Sequence, residues 1–414
     1  MSKHFKLKVD KRSFALIFIS VVGYLVWLNA FPLYGPIAVA LFEGFKALYI
    51  ERGRFMLLFL ASMTVSSLAA GYYIDRVKKR VIVICIATII ASLLTFAVLW
   101  LNQLSDLFVV APLLGLIAGV SPPAWGAYFA DNTLPEDRGR IMGLSISLSI
   151  PIAYLFSITE PFTLGGTANQ KLIIIGFSLL IPLLTLVLRS KEKTEETRSS
   201  RRRRGPPPKQ LMLYAIPLFL FYVVAGVLLS IFFPFVQEHV GTEIFYLAWA
   251  LPFAFGAILS GILLDSSGRK FPTIVGLAIT GVSLAIFTTS IYILPGTWVQ
   301  IGWVWVIPLA VGYAFVTNSS FVIWADLAPA HSRGRYYGAG IALMASALLL
   351  GQFITGTAFG NVSASTINQY TLFSSVALFL GIPLLIVAEE ALPKEVIERR
   401  QMEEYLSDVQ KKFG

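Results

Sequence analysis

Twelve stretches of the chain stay apolar for roughly the ~20 residues that an α-helix needs to cross a bilayer, and this pattern constrains the fold more than any motif. The runs cover 13–40, 53–74, 81–101, 107–130, 141–160, 171–189, 211–236, 243–264, 271–294, 300–324, 336–360 and 367–388. In hydrocarbon every backbone N–H and C=O must find its partner within the protein, so runs of this length predict helices. Only 14% of the residues are charged while 56% are hydrophobic, too little polar surface for a soluble domain. The first run follows a basic tail (Lys3, Lys6, Lys8, Lys11, Arg12). It is longer than a signal-peptide core and lacks a small-residue cleavage site, so a retained helix is expected.

The net charge of +10 takes its meaning from where the charges fall. With the N-terminus inside, every lysine and arginine lies in a cytoplasmic segment except Lys46, Arg52, Arg54 and Lys171. That asymmetry is the positive-inside pattern, and it predicts a cell-membrane protein with both termini in the cytoplasm. Topology therefore explains Arg201-Arg202-Arg203-Arg204 better than nucleic-acid binding does. The single cysteine, Cys85, excludes an intrachain disulfide framework.

Residues 190–210 interrupt the apolar pattern with a charged stretch ending in Gly205-Pro206-Pro207-Pro208, which cannot bury enough surface to fold alone. The expected organisation is a helical bundle over 1–189, a cytoplasmic linker over 190–210, a second bundle over 211–388 and a cytoplasmic tail over 389–414. The two bundles repeat each other. Gly71-Tyr72-Tyr73-Ile74-Asp75-Arg76 follows the second run, and Gly261-Ile262-Leu263-Leu264-Asp265 follows the eighth. Asp131, Pro135 and Arg138-Gly139-Arg140 follow the fourth run, and Asp326, Pro329 and Arg333-Gly334-Arg335 follow the tenth. Two motif pairs at nearly one offset imply internal duplication.

These residues resemble the major facilitator superfamily, whose signature between helices two and three reads Gly-x-x-x-Asp-Arg-x-Gly-Arg-Lys/Arg. The first copy here keeps Gly71, Asp75, Arg76 and the basic end at Arg80, but has Lys78 in place of the inner glycine. The second keeps Gly261, Asp265, Gly268, Arg269 and Lys270, with Ser266 where arginine is common. The resemblance implies an all-α integral membrane fold of twelve transmembrane helices in two pseudo-symmetric six-helix bundles. It also implies that the loops form a conformational latch at the cytoplasmic face. Asp75 would cap the start of the eleventh helix and Arg76 would meet Asp131. Asp265 would face the fifth helix with Arg269 and Asp326 nearby. Arg138, Gly139, Arg140, Arg333, Gly334 and Arg335 complete that set.

In this architecture a substrate site is expected near the midplane between the bundles. No ionisable residue is central there. The candidates are uncharged: Tyr24, Trp27, Asn29 and Tyr34 in the first run, Ser149 and Tyr154 in the fifth, Tyr222, Asn318 and Gln352 in the second half. Glu160, in Thr159-Glu160-Pro161, is the candidate for proton coupling. The function expected is alternating-access transport of a small organic solute, with proton-coupled export of a neutral or amphipathic compound as the first version. An uncoupled facilitator and a non-transporting receptor or scaffold with the same fold remain the alternatives. A small-molecule substrate and membrane lipid are the expected partners, joined by protons in the coupled version. No cofactor, metal, nucleic acid or enzymatic activity is expected, and the chain should work as a monomer.

Overall fold

In the computed structural model, the residues described are 11–31, 41–42, 49–77, 79–101, 103–158, 176, 207–293, 298–355, 364–393, 396–399, 402, 405–406 and 409. Among them stand eleven long helices. They are α1 (Lys11–Ala30), α2 (Tyr49–Ile74), α3 (Arg80–Ala97), α4 (Leu104–Asn132) and α5 (Arg138–Ile158). From residue 208 onward come α6 (Pro208–Val227), α7 (Thr242–Ser267), α8 (Lys270–Ile293), α9 (Trp298–Leu327), α10 (Arg333–Thr355) and α11 (Ala364–Val387). The expected linker up to residue 206 lies outside the described residues. Ten of these helices, with short extensions, are long and apolar enough to cross a membrane. The chain is a multi-pass membrane protein. Apart from Gly176, the run at 171–189 lies outside the described residues, as do Tyr34, Lys78 and Glu160.

Local sequence explains the helix ends. Gln103 and Asp106 form a capping box at the start of α4, satisfying amides that have no partner within the helix. Pro207 and Pro208 open α6, so three residues expected in the linker are already helical. Proline fits there because its missing N–H would be unpaired anyway. Further on, Pro234 cannot donate to the preceding turn, and the backbone widens into a π-turn over Leu228–Phe232 before Phe233–Val240 continues the helix. Hydroxyls inside the spans mostly bond back to a carbonyl of their own helix, as Thr88 does to Ile84 and Ser145 to Ile141. That satisfies them without water.

Within the first group, α1–α5, α2 packs on α4 and α1 on α5. Within the second, α6–α11, α9 packs on α7 and α8 while α11 packs on α8 and α6. The two groups meet along two antiparallel seams, α2 against α10 and α5 against α7. Both seams depend on glycine. A Cβ on Gly71 would stand 2.7 Å from the Gly334 carbonyl oxygen, and one on Gly261 would stand 2.6 Å from that of Gly139. Backbones approach this closely only where neither residue carries a side chain. The α5–α7 seam continues along the helices, from Gly139 against Gly261 through Gly143 against Ala257 to the stacked rings of Tyr154 and Tyr246.

Candidate functional site

The Gly-x-x-x-Asp spacing puts glycine and aspartate one turn apart on one helix face, so the residue that permits contact is followed by the one that uses it. Both copies do so at the same end of the molecule, here termed the motif end. Asp75 accepts from the backbone amides of Gly334 (2.7 Å) and Arg335 (3.2 Å) and from Arg335 Nε (3.0 Å). Asp265 accepts from the amides of Gly139 (2.7 Å) and Arg140 (2.9 Å) and from Arg140 Nε (3.1 Å). Each carboxylate thus caps the first turn of a helix in the other group, where unpaired N–H groups and the helix dipole favour negative charge.

A second set of contacts crosses in the same way. Arg138 donates to Asp326 (2.5 Å) and to the Ala325 carbonyl, and Arg333 pairs with Asp131. Arg80 also pairs with Asp131. Arg140 reaches Asp137 at 2.6 Å. Arg269 bridges Asp326 (2.5 Å) and Asp265 (3.1 Å), donates to the Leu264 carbonyl at 2.5 Å, and also donates to the Pro135 carbonyl of the first group. Burial disfavours charge on Arg269, but the carboxylates of Asp326 and Asp265 more than offset it and hold its pKa above the usual arginine value.

One expected pairing is absent. Arg76 does not meet Asp131; its guanidinium lies over the Tyr72 ring, 4.3 Å from the centroid, and donates to the Tyr72 hydroxyl. Tyr72 sits one turn earlier on the same face, where an arginine stacks readily. Asp131 is already met by Arg80 and Arg333.

Sequence reasoning missed Glu390. Its carboxylate accepts from the amides of Arg269 (2.7 Å) and Lys270 (3.2 Å), capping α8. Lys270 Nζ donates to the carbonyls of Ile386 and Ala388. Gly268, with φ of 89°, makes the turn between α7 and α8, and a Cβ there would stand 2.6 Å from the Glu390 carboxylate. The signal was present as an acidic pair, Glu389-Glu390, just after an apolar run, but no spacing tied it to α8.

The cleft candidates divide into satisfied and unsatisfied groups. Tyr24 Oη donates to the Ala118 carbonyl (2.9 Å), and Trp27 Nε1 to Thr95 Oγ1 (3.0 Å). Asn29 and Ser149 bond carbonyls of their own helices. Tyr222 pairs with Ser320 at 2.7 Å, and Asn318 Nδ2 donates to the Ala257 carbonyl (3.2 Å) and Ser260 Oγ (2.9 Å), while Asn318 Oδ1 is buried with no partner. These bonds brace each group internally. Tyr154, stacked on Tyr246 at 4.6 Å, touches the other group. Gln352 is buried with both amide atoms unpartnered. Trp125, not among the candidates, reaches across the groups to Phe321 (5.6 Å) and Tyr337 (6.2 Å).

A family model described as Major Facilitator Superfamily matches residues 16–352. No curated protein matches the chain. The fold is similar to the crystal structure of a bacterial homologue of the iron transporter ferroportin in an outward-facing state. That likeness has a TM-score of 0.68 at 15% identity and covers 92% of this chain and 99% of the other. The same homologue with soaked iron gives 0.66, also at 15% identity, with the same coverage.

Proposed function

Because the chain belongs to the major facilitator superfamily, we propose that it moves a small neutral or amphipathic organic solute across the membrane by alternating access, with the motif end facing the cytoplasm. The observation that carries this reading is the reciprocal pair of caps. Asp75 holds α10 and Asp265 holds α5, and every one of those bonds must break if the motif end is to open. Such contacts exist in one state only, so they set the balance between states without touching the solute. Seventeen apolar residues lie between each cap and the far end of its helix, in α2 and in α7 alike.

The uncharged residues expected from the sequence to line a cavity favour a neutral cargo. Among the described residues, the carboxylates of the spanning helices lie near helix ends: Glu51, Asp106, and the motif aspartates. This distribution also supports the second reading, an uncoupled facilitator. Proton coupling through Glu160 is the other version. The likeness to ferroportin homologues, at 15% identity, carries the fold and not their cargo. Among the described residues no group of three or more His, Cys, Asp or Glu side chains is placed to hold a metal ion.

Reconstituted, sealed vesicles test the reading. A panel of labelled neutral solutes should include one that moves faster than in protein-free vesicles and saturates with concentration. An imposed pH gradient that drives its accumulation, lost in Glu160→Gln, marks coupling. Equilibration without accumulation marks the facilitator. If no solute shows saturable flux while the protein remains folded, the transporter reading fails and the receptor or scaffold takes its place.

A further inference from the structure

Inside the first group, α1, α3 and α4 enclose a small cavity whose walls include Ser20, Tyr24, Trp27, Thr88, Ser121 and Trp125. It is partly enclosed and has room for about one water-sized group. Three of its six side-chain polar atoms are already used: Tyr24 Oη on Ala118, Trp27 Nε1 on Thr95, Thr88 Oγ1 on Ile84. The other three make no hydrogen bond, Ser121 Oγ among them, and two of those three are fully buried. Ser20 Oγ and Trp125 Nε1 are buried with no partner, on side chains that are 4% and 1% exposed.

A buried donor without a partner costs about 1–3 kcal/mol, so two of them at one cavity mark a place where a partner belongs. Indole Nε1 only donates, and a serine hydroxyl can donate as well. The named walls carry no carboxylate and no cationic side chain. The complementary group is therefore a neutral oxygen that accepts two hydrogen bonds, flanked by the aromatic faces of Tyr24 and Trp27. Trp125 has a second engagement, since its ring also lies against Phe321 and Tyr337 of the other group. A guest hydrogen-bonded to Trp125 Nε1 thus touches the same side chain that seals the two groups together.

We infer that this cavity is a subsite for a neutral carbonyl or hydroxyl oxygen, bound by Trp125 Nε1 and Ser20 Oγ. Assigning that oxygen to the transported solute rests on the transport reading above. A water molecule offers the same chemistry, and the test separates the two sources.

The probe is acetamide, whose carbonyl oxygen is small enough for the space. Full-length protein in nanodiscs is labelled with 15N-tryptophan, and Trp125→Phe identifies the indole resonance by its loss. Titration with acetamide should shift that resonance saturably. Ser20→Ala should weaken the response roughly 2- to 13-fold, the range set by one net hydrogen bond of ~0.5–1.5 kcal/mol, and Ser20→Thr should keep it. A resonance that acetamide leaves unmoved in folded protein overturns the inference. So does one that exchanges protons with bulk water and ignores acetamide, since the cavity is then a hydration site. The experiment reads binding without flux, so saturable binding with no transport sinks the transport reading alone, and transport with no binding sinks the subsite alone.

Discussion

The two copies of the motif make the same backbone bonds and sit in different surroundings. Around Asp75 the charged partners reach water: the Arg335 side chain is 54% exposed, and Asp131, which joins Arg80 to Arg333, is 38% exposed. Around Asp265 they are more enclosed, with the matching Arg140 side chain only 18% exposed. Arg269 and Asp326 are fully buried, and Arg138 is 4% exposed. The difference comes from what lies over each copy. Glu390 and the segment after α11 cover the second, and Arg269 reaches the Pro135 loop of the first group. A partly exposed ion pair contributes little because water competes for both charges. A buried network costs desolvation to form but is expensive to break, because a removed partner leaves a charge stranded. The second copy is therefore the stiffer half of the closure.

The largest test of that contrast is Asp326→Asn against Asp131→Asn. Asp326 stands between two buried guanidiniums, so its loss should cost about 3–5 kcal/mol, while Asp131→Asn should cost no more than ~1 kcal/mol. Thermal unfolding in detergent reads both, and similar melting shifts would erase the distinction between the copies.

Next in size comes the balance between states. Asp265→Asn should move the population towards an open motif end by about 1–3 kcal/mol, or roughly 5–150-fold, and Asp75→Asn by several-fold less. Distances between spin labels on the motif ends of α2 and α10, and of α5 and α7, report it. A larger shift for Asp75→Asn would show that burial of the charged partners does not decide which copy holds harder.

The third test asks where the copies should agree. Gly71→Ala and Gly261→Ala each drive a methyl against a carbonyl oxygen, at 2.7 and 2.6 Å. Each should cost ~1–3 kcal/mol, by overpacking rather than by charge, and the two should match. A large asymmetry in melting temperature would show that the seams differ in packing as well as in burial.

Much of this arrangement was legible in the sequence because it depends on spacing. Helix-length apolar runs give the spans, and the repeated Gly-x-x-x-Asp and Arg-Gly-Arg motifs give partners that follow from symmetry. The rest depends on competition that spacing does not record. Arg76 has Tyr72 one turn away, and Asp131 has two other arginines within reach, so a pairing suggested by family resemblance lost to nearer partners. Glu390 acts on α8 across 120 residues, and no periodicity links them. Ser20 and Trp125 read as ordinary span residues, and only the bonds their neighbours had already made set them apart.

The paired glycine contacts also limit how the molecule can move. Two rigid bodies whose backbones come closest at two points turn most easily about the line joining them. Here the points are Gly71 against Gly334 and Gly261 against Gly139, one on each flank. Asp75 and Asp265 lie one helical turn to one side of that line, and most of α2 and α7 lies to the other. A tilt that parts the carboxylates from their helices presses the opposite ends towards each other, on the α5–α7 flank against the stacked Tyr154 and Tyr246 rings. On the transport reading proposed above, access to the two sides of the membrane would then be exclusive by lever geometry, with no signal needed to pass between them.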